Sequence, residues 1–216
     1  MTRILDAVTF PYPHSSSYPD NELPSGRFGG KLMSRIPVHT LERAPSASKA
    51  LLESIVQGSA TGRLLNMQLQ MAEAPAVLAQ YISLRRMTEE HGTLDARTRT
   101  AVLAVAGATL KVDYVEAVTS MVAVLNGWTP EEVTKLCSGL GSDDPKLDLL
   151  LEVVSDAVGN AGRVDQDTWE RAIRGGWTTE QLAESFSFFA IATHMAYFCN
   201  FAETEADVSF TQASQE

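Results

Sequence analysis

Two stretches settle what this chain folds into: Gly127-Trp128-Thr129-Pro130-Glu131-Glu132-Val133 and Gly176-Trp177-Thr178-Thr179-Glu180-Gln181-Leu182. Each runs glycine, tryptophan, threonine, then a Glu or Gln three residues after the threonine. A threonine followed at that spacing by Glu or Gln is a capping box, in which side chain and backbone satisfy each other's donors at a helix start. Each stretch therefore predicts a helix beginning just after its threonine. Since the pattern occurs twice, helix, Gly-Trp-Thr turn and helix read as an internal repeat.

Outward from these anchors the periodicity stays helical. Ala47, Ala50, Leu51, Ser54 and Ile55 follow Pro45-Ser46 at helical spacing. Further helices are predicted over Leu64 to Met71, Ala76 to His91 with Gly92 as its C-cap, from near Asp95, and over Tyr114 to Asn126 before Gly127. No pair of alternating strands joined by a turn is visible. The fold class is all-α. Residues 1–36 are rich in Ser, Pro, Gly and Asn and read as an extended arm, with 37–207 as one helical domain and 208–216 as a flexible tail. Tyr12, Tyr18 and Phe28 are the arm's candidate anchors on a partner subunit.

Length and composition narrow the function. The chain's 216 residues suffice for one sizeable core, and 44% hydrophobic with 20% charged residues is an ordinary globular balance. A net charge of −10 and a pI near 4.9 argue against a nucleic-acid binder, which needs clustered Lys and Arg against phosphates. No apolar run reaches the ~20 residues of a membrane span. The N-terminus lacks the pattern of a secretory signal, so a cytoplasmic protein is expected. Cys137 and Cys199 alone form no disulfide framework, and no His–carboxylate spacing suggests a metal. Glycines show no phosphate-cradling pattern. No cofactor is expected.

One known family matches this order of motifs. Gly92-Thr93-Leu94-Asp95-Ala96-Arg97-Thr98-Arg99 is similar to the stretch that opens the core of alkylhydroperoxidase D-like proteins, where a Leu-Asp pair precedes a helix. Tyr114 to Val133, with Ala117, Ala123, Gly127, Glu131 and Glu132, looks like that family's core helix and following turn. Leu147 to Asp207 reads like its second half-repeat, and Pro37 to Tyr81 like the N-terminal extension of longer members. Over residues 37–207 the chain thus resembles the alkylhydroperoxidase D / carboxymuconolactone decarboxylase family. The resemblance implies a helical bundle assembled as a trimer or hexamer.

The family's reactive positions are replaced. Its Cys-x-x-Cys-x-x-x-His motif falls on Val112, Val115 and Thr119, and its preceding glutamate on Thr100. A thiol peroxidase needs a thiolate and a resolving thiol, and valine supplies neither. The decarboxylase branch's Glu-x-x-x-His pair would fall on Val115 and Thr119. The nearest carboxylate is Glu116, one position displaced.

Positions 112, 115, 116 and 119 share an arc of about 100° on one helix, so Glu116 is a candidate general acid or base. Asp113 and Glu116 also have capping-box spacing, which leaves a purely structural role open. Tyr114 is either a packing residue or one that orients substrate. On the last long helix His194 and Tyr197 share a face, with Asn200 one turn beyond. His194 is either a proton shuttle or a core histidine.

The candidate site is thus Glu116, His194 and Tyr197 for catalysis, with Tyr114, Val112, Val115, Thr119 and Asn200 around the substrate. The expected activity is cofactor-free acid–base chemistry (isomerase, decarboxylase, dehydratase or cyclase type) on a small, partly apolar organic molecule. A non-catalytic binding or assembly subunit is the alternative, and a residual thiol peroxidase a third reading. Helix Phe186 to Phe201 is apolar almost all round, so a homo-oligomer is expected.

Overall fold

The computed structural model describes residues 34–59 and 61–208. Residues 1–33 of the predicted arm (1–36) and 209–216 of the predicted tail (208–216) lie outside them. Helices α1 (Ser46–Gly58), α2 (Asn66–Met71) and α3 (Pro75–His91) precede α4 (Ala96–Thr109), α5 (Asp113–Leu125) and α6 (Pro130–Cys137). Helices α7 (Pro145–Gly159), α8 (Gln166–Arg174) and α9 (Thr179–Ala202) complete the bundle, and the described residues contain no strand.

The hub is α4, which packs against α5, α6, α7 and α9. Its sequence allows this, because Ala101, Ala104, Ala106 and Gly107 keep its radius small while Val102 and Val105 fill the gaps between neighbours. Ala101, Val102, Ala104 and Ala106 have no exposed surface. A helix apolar on every side has to be surrounded, and this one is. Gly107 faces Thr119 of α5 so closely that a β-carbon there would overlap the threonine hydroxyl.

Both capping boxes form as the sequence predicts. Thr129 Oγ1 accepts from Glu132 N, and Glu132 Oε2 accepts from Thr129 N. Thr178 and Gln181 do the same at α9. The glycine before each tryptophan adopts a positive φ, +94° at Gly127 and +95° at Gly176, which lets the chain turn sharply from one helix into the next. Each indole then donates to the carbonyl 31 positions earlier: Trp128 to Arg97 at 3.1 Å, Trp177 to Lys146 at 2.6 Å. Arg97 and Lys146 also place their cationic groups over those rings, at 3.6 and 4.8 Å. Asp95 and Asp144, two positions before them, cap α4 and α7. The α4–α5–α6 and α7–α8–α9 units are therefore two copies of one motif in constant register.

Two local expectations are corrected. Gly92 does close α3, but at φ −72° and ψ 145°, not as a left-handed C-cap. It is glycine because a β-carbon would lie 2.8 Å from Glu184 Oε1 and 2.5 Å from Thr88 O. Glu184 uses that room to accept from Thr93 N, Thr93 Oγ1 and Leu94 N, tying the α3–α4 connection to α9. At α5 the N-cap is Val112, with no side-chain cap. Asp113 is thus the first helical residue, and Glu116 lies too far along the helix to close a capping box.

After α9, residues 203–208 fold back across the bundle. Asp207 accepts from Tyr114 Oη at 2.8 Å, Asn66 N at 3.1 Å and Arg63 at 3.4 Å.

Candidate functional site

The residues expected to form a catalytic set are divided between different cavities. Glu116 is half-buried in a groove with Tyr114, Ser120 and Cys137. His194 and Tyr197 line another, together with Met71, Val77, Phe198 and Phe201. Within that groove Tyr197 is 71% exposed, and Asn200 is exposed at the surface. Val115 is fully buried, Val112 is half-buried at the helix start, and Thr119 faces a third cavity. A rotation of about 60° separates positions 116 and 119 on α5, enough to send the two side chains to different cavities. No one cavity holds Glu116, His194 and Tyr197 together.

Each of these groups has a local role. Tyr114 Oη accepts from Met67 N and donates to Asp207, and burial pushes its phenol upward from the usual range. It serves as a clip between α2, α5 and the chain beyond α9. His194 stacks on Tyr81 at 6.3 Å, its Nε2 is buried without a hydrogen-bond partner, and desolvation lowers its pKa. A neutral imidazole packed on a phenol is the result. The two thiols are free and lie against different elements. Cys137 sits 3.8 Å from Ala104 O and from Ser120 Oγ, and Cys199 is buried in α9. Burial raises both, Cys199 to about 12, the direction away from a reactive thiolate.

The third cavity is built differently. A cleft of about 330 Å³ opens between α1, α3, α4, α5 and α9. Ile55, Leu103, Val118, Phe188, Ile191 and Met195 supply its apolar walls. Thr100 and Thr119, which stand where the resemblance puts a glutamate and a histidine, both line it. Their hydroxyls donate inward to their own helices, Thr100 to Ala96 O at 2.8 Å and Thr119 to Val115 O at 2.9 Å. Thr100 also accepts from the Trp128 indole. Neither offers a proton-transfer group.

The ionisable groups on the lining are Tyr81, Arg63, Arg85, Glu89 and Arg99. Tyr81 and Arg85 are one turn apart on α3, with the guanidinium 5.9 Å from the ring centroid. The phenol beside it is the main cause that raises the Arg85 pKa further. Sequence reading missed this group. The i, i+4 spacing of Tyr81 and Arg85 pairs those two, and no sequence signal joins them to Arg99.

Among the described residues, no group of His, Cys, Asp and Glu is placed to hold a metal ion, and no helix is long and apolar enough to cross a membrane.

No family model matches the sequence, and no curated protein does. Solved structures do match. The alkylhydroperoxidase D core of an uncharacterized peroxidase-related protein from Ralstonia eutropha JMP134 superposes with a TM-score of 0.73 at 16% identity, covering 86% of this chain and 98% of that one. The debrominase Bmp8, as a cysteine-to-alanine variant in complex with 2,3,4-tribromopyrrole, gives 0.71 at 13% identity over 87% and 97%. Apo Bmp8 gives 0.69 at 13% identity over 86% and 97%. The chain has the alkylhydroperoxidase D-like fold.

Proposed function

We propose, from a fold shared with a peroxidase-related protein and a debrominase, that this chain binds a small, partly apolar organic molecule in the α1/α3/α4/α5/α9 cleft. One observation carries the reading: a largely apolar cleft is lined by Thr100 and Thr119, the positions where the resemblance puts a glutamate and a histidine. Its volume lies at the lower end of the range of small-molecule sites, roughly 300–1,000 Å³. The complex of Bmp8 with a tribromopyrrole supports the fold as a container for small, largely apolar molecules. In ligand-observed NMR with a panel of small aryl and alkyl compounds, the wild-type protein is expected to retain a subset. Leu103→Trp, which fills the cleft, is expected to lose that subset. Retention of the same compounds by Leu103→Trp would defeat the reading.

A second reading, acid–base catalysis without a cofactor, rests on Tyr81, a phenol on the cleft wall with a guanidinium beside it. The raised thiols of Cys137 and Cys199 support proton transfer over thiol chemistry. Under this reading any turnover found disappears in Tyr81→Phe and survives in Cys137→Ala and Cys199→Ala. The reverse pattern would return the protein to thiol chemistry.

The outer face of α9 supports homo-oligomerisation. Phe186, Tyr197 and Phe201 are 59%, 71% and 68% exposed, and their spacing puts them on one stripe of the helix. Exposed aromatics aligned along one helix face are a mark of association surfaces. Sedimentation is expected to show a trimer or hexamer that Phe201→Glu dissociates; a wild-type monomer would end this part of the proposal.

A further inference from the structure

In a chain of net charge −10, the cleft lining runs the other way, with three guanidiniums and one carboxylate. Two of the three cations are already engaged. Arg85 lies 3.5 Å from Glu89 and over the Tyr81 ring. Arg63 donates to Asp207 O at 2.6 Å and reaches its carboxylate at 3.4 Å. Arg99 differs. It is half-buried and, among the described residues, has no side-chain hydrogen bond and no ion pair.

Glu184 feels Arg99 through longer-range attraction, without a contact between the two side chains. That carboxylate is already committed. It accepts from Thr93 N at 2.8 and 2.9 Å, from Thr93 Oγ1 at 2.7 Å and from Leu94 N at 2.9 Å. Arg99 is thus a half-buried guanidinium on the cleft wall whose donors meet no acceptor among the described residues. Partial burial of a charge without a contacting counter-charge is unfavourable, and an anion entering the cleft lowers that penalty. Arg99 also lies in the first turns of α4, whose N-terminal dipole end adds to the positive potential.

Resting on the reading of this cleft as a ligand site, we propose that its ligand is a small monocarboxylate with an apolar body, the carboxylate paired with Arg99 and the body lying along Leu103, Val118, Phe188 and Ile191. The planar fork of a guanidinium matches the two oxygens of a carboxylate, and a bidentate pair fixes orientation as well as adding affinity. A phosphate dianion fits less well. It needs several further donors, and the hydroxyls of Thr88, Thr100 and Thr119 on the lining already donate to their own helices. The wall formed by Leu103, Val118, Phe188 and Ile191 is hydrocarbon and suits an aryl or short alkyl chain.

The test is calorimetric titration of the full chain with matched probes: 4-phenylbutyrate and octanoate, their neutral amides, and phenyl phosphate. Wild type is expected to bind the carboxylates at least tenfold more tightly than the amides and more tightly than phenyl phosphate. Arg99→Gln is expected to bring each carboxylate down to the level of its amide and leave the amides unchanged. Arg99→Lys keeps the charge but loses the fork, and is expected to fall between. Thermal melts of both variants establish that they fold.

If amides bind wild type as well as carboxylates and Leu103→Trp abolishes both, the cleft stands and the anion proposal falls. A preference for phenyl phosphate, or no binding of any carboxylate, also overturns it. If carboxylates bind but Leu103→Trp leaves that binding intact, the site is elsewhere, and the cleft reading fails with the proposal.

Discussion

Trp128→Ala is expected to lower the unfolding free energy by about 3–5 kcal/mol, the range for removing a buried large aromatic. The indole is 3% exposed and lies at the turn between α5 and α6. Its Nε1 donates to Arg97 O at 3.1 Å and to Thr100 Oγ1 at 3.2 Å, and the Arg97 guanidinium covers the ring at 3.6 Å. Arg97 in turn reaches Glu132 at 2.6 Å, the same glutamate that closes the α6 capping box. Removing the ring therefore leaves a cavity, takes a donor from Arg97 O and Thr100 Oγ1, and strips the arginine of its platform. Trp128→Phe keeps most of the buried area and is expected to cost about 1 kcal/mol, the net value of an ordinary hydrogen bond. Arg97→Ala, at an exposed cation, is also expected to cost about 1 kcal/mol or less. Urea unfolding of the three variants checks the ordering. A Trp128→Ala loss no larger than that of Arg97→Ala would show that the ring is a surface ornament and that the repeat's turns do not organise the core.

Gly107→Val is expected to cost about 3 kcal/mol, the upper part of the usual range for overpacking a tight core. The reason is Thr119. A β-carbon at 107 overlaps its Oγ1 and sits 3.3 Å from its Cβ and Cγ2, and the threonine is held by its bond to Val115 O. Both positions are fully or nearly fully enclosed between α4 and α5, so neither helix can yield cheaply. Gly107→Ala should cost less, about 1–2 kcal/mol. The sharper expectation is coupling. Thr119→Ala vacates the space that the new methyl needs, so the double variant Gly107→Ala/Thr119→Ala should be at least 1 kcal/mol more stable than the two single losses predict. Additive losses would mean that the contact is not what requires glycine at 107.

The parts of this fold that were legible in the sequence are those decided locally. A capping box is complete within four residues, so Thr129 with Glu132 and Thr178 with Gln181 announced α6 and α9 without knowledge of the rest of the chain. The Gly-Trp-Thr repeat was legible for the same reason. The indole bonds to Arg97 and Lys146 were not, since they join residues 31 positions apart.

The site was less legible. Helical spacing places Glu116 and Thr119 within about 60° of each other, but which cavity each enters depends on where α6 and α9 lie beside α5. Likewise His194 and Tyr197 share a helix face, yet one has its ring nitrogen buried behind Tyr81 and the other is largely exposed. Tyr81, Arg85 and Arg99 come from two helices that converge only in the tertiary structure. Nothing in the spacing of 81, 85 and 99 brings them to one cleft. The Gly92 correction has the same origin, because its requirement for a missing side chain comes from Glu184, on a helix made much later in the sequence.

The packing of α4 has a consequence for the order in which the molecule is made. Every helix that surrounds α4 as a hub (α5, α6, α7 and α9) follows it along the chain. Synthesis runs from the N-terminus at roughly 5–20 residues per second, so an emerging α4, apolar from Ala101 to Gly107, waits for its cover. The clip that joins Asp207 to Arg63, Asn66 and Tyr114 closes later still. Until then the growing polypeptide presents to the cell the α4 residues that end up enclosed. Its maturation should therefore depend on whatever shields that surface between translation of residue 109 and completion of α9.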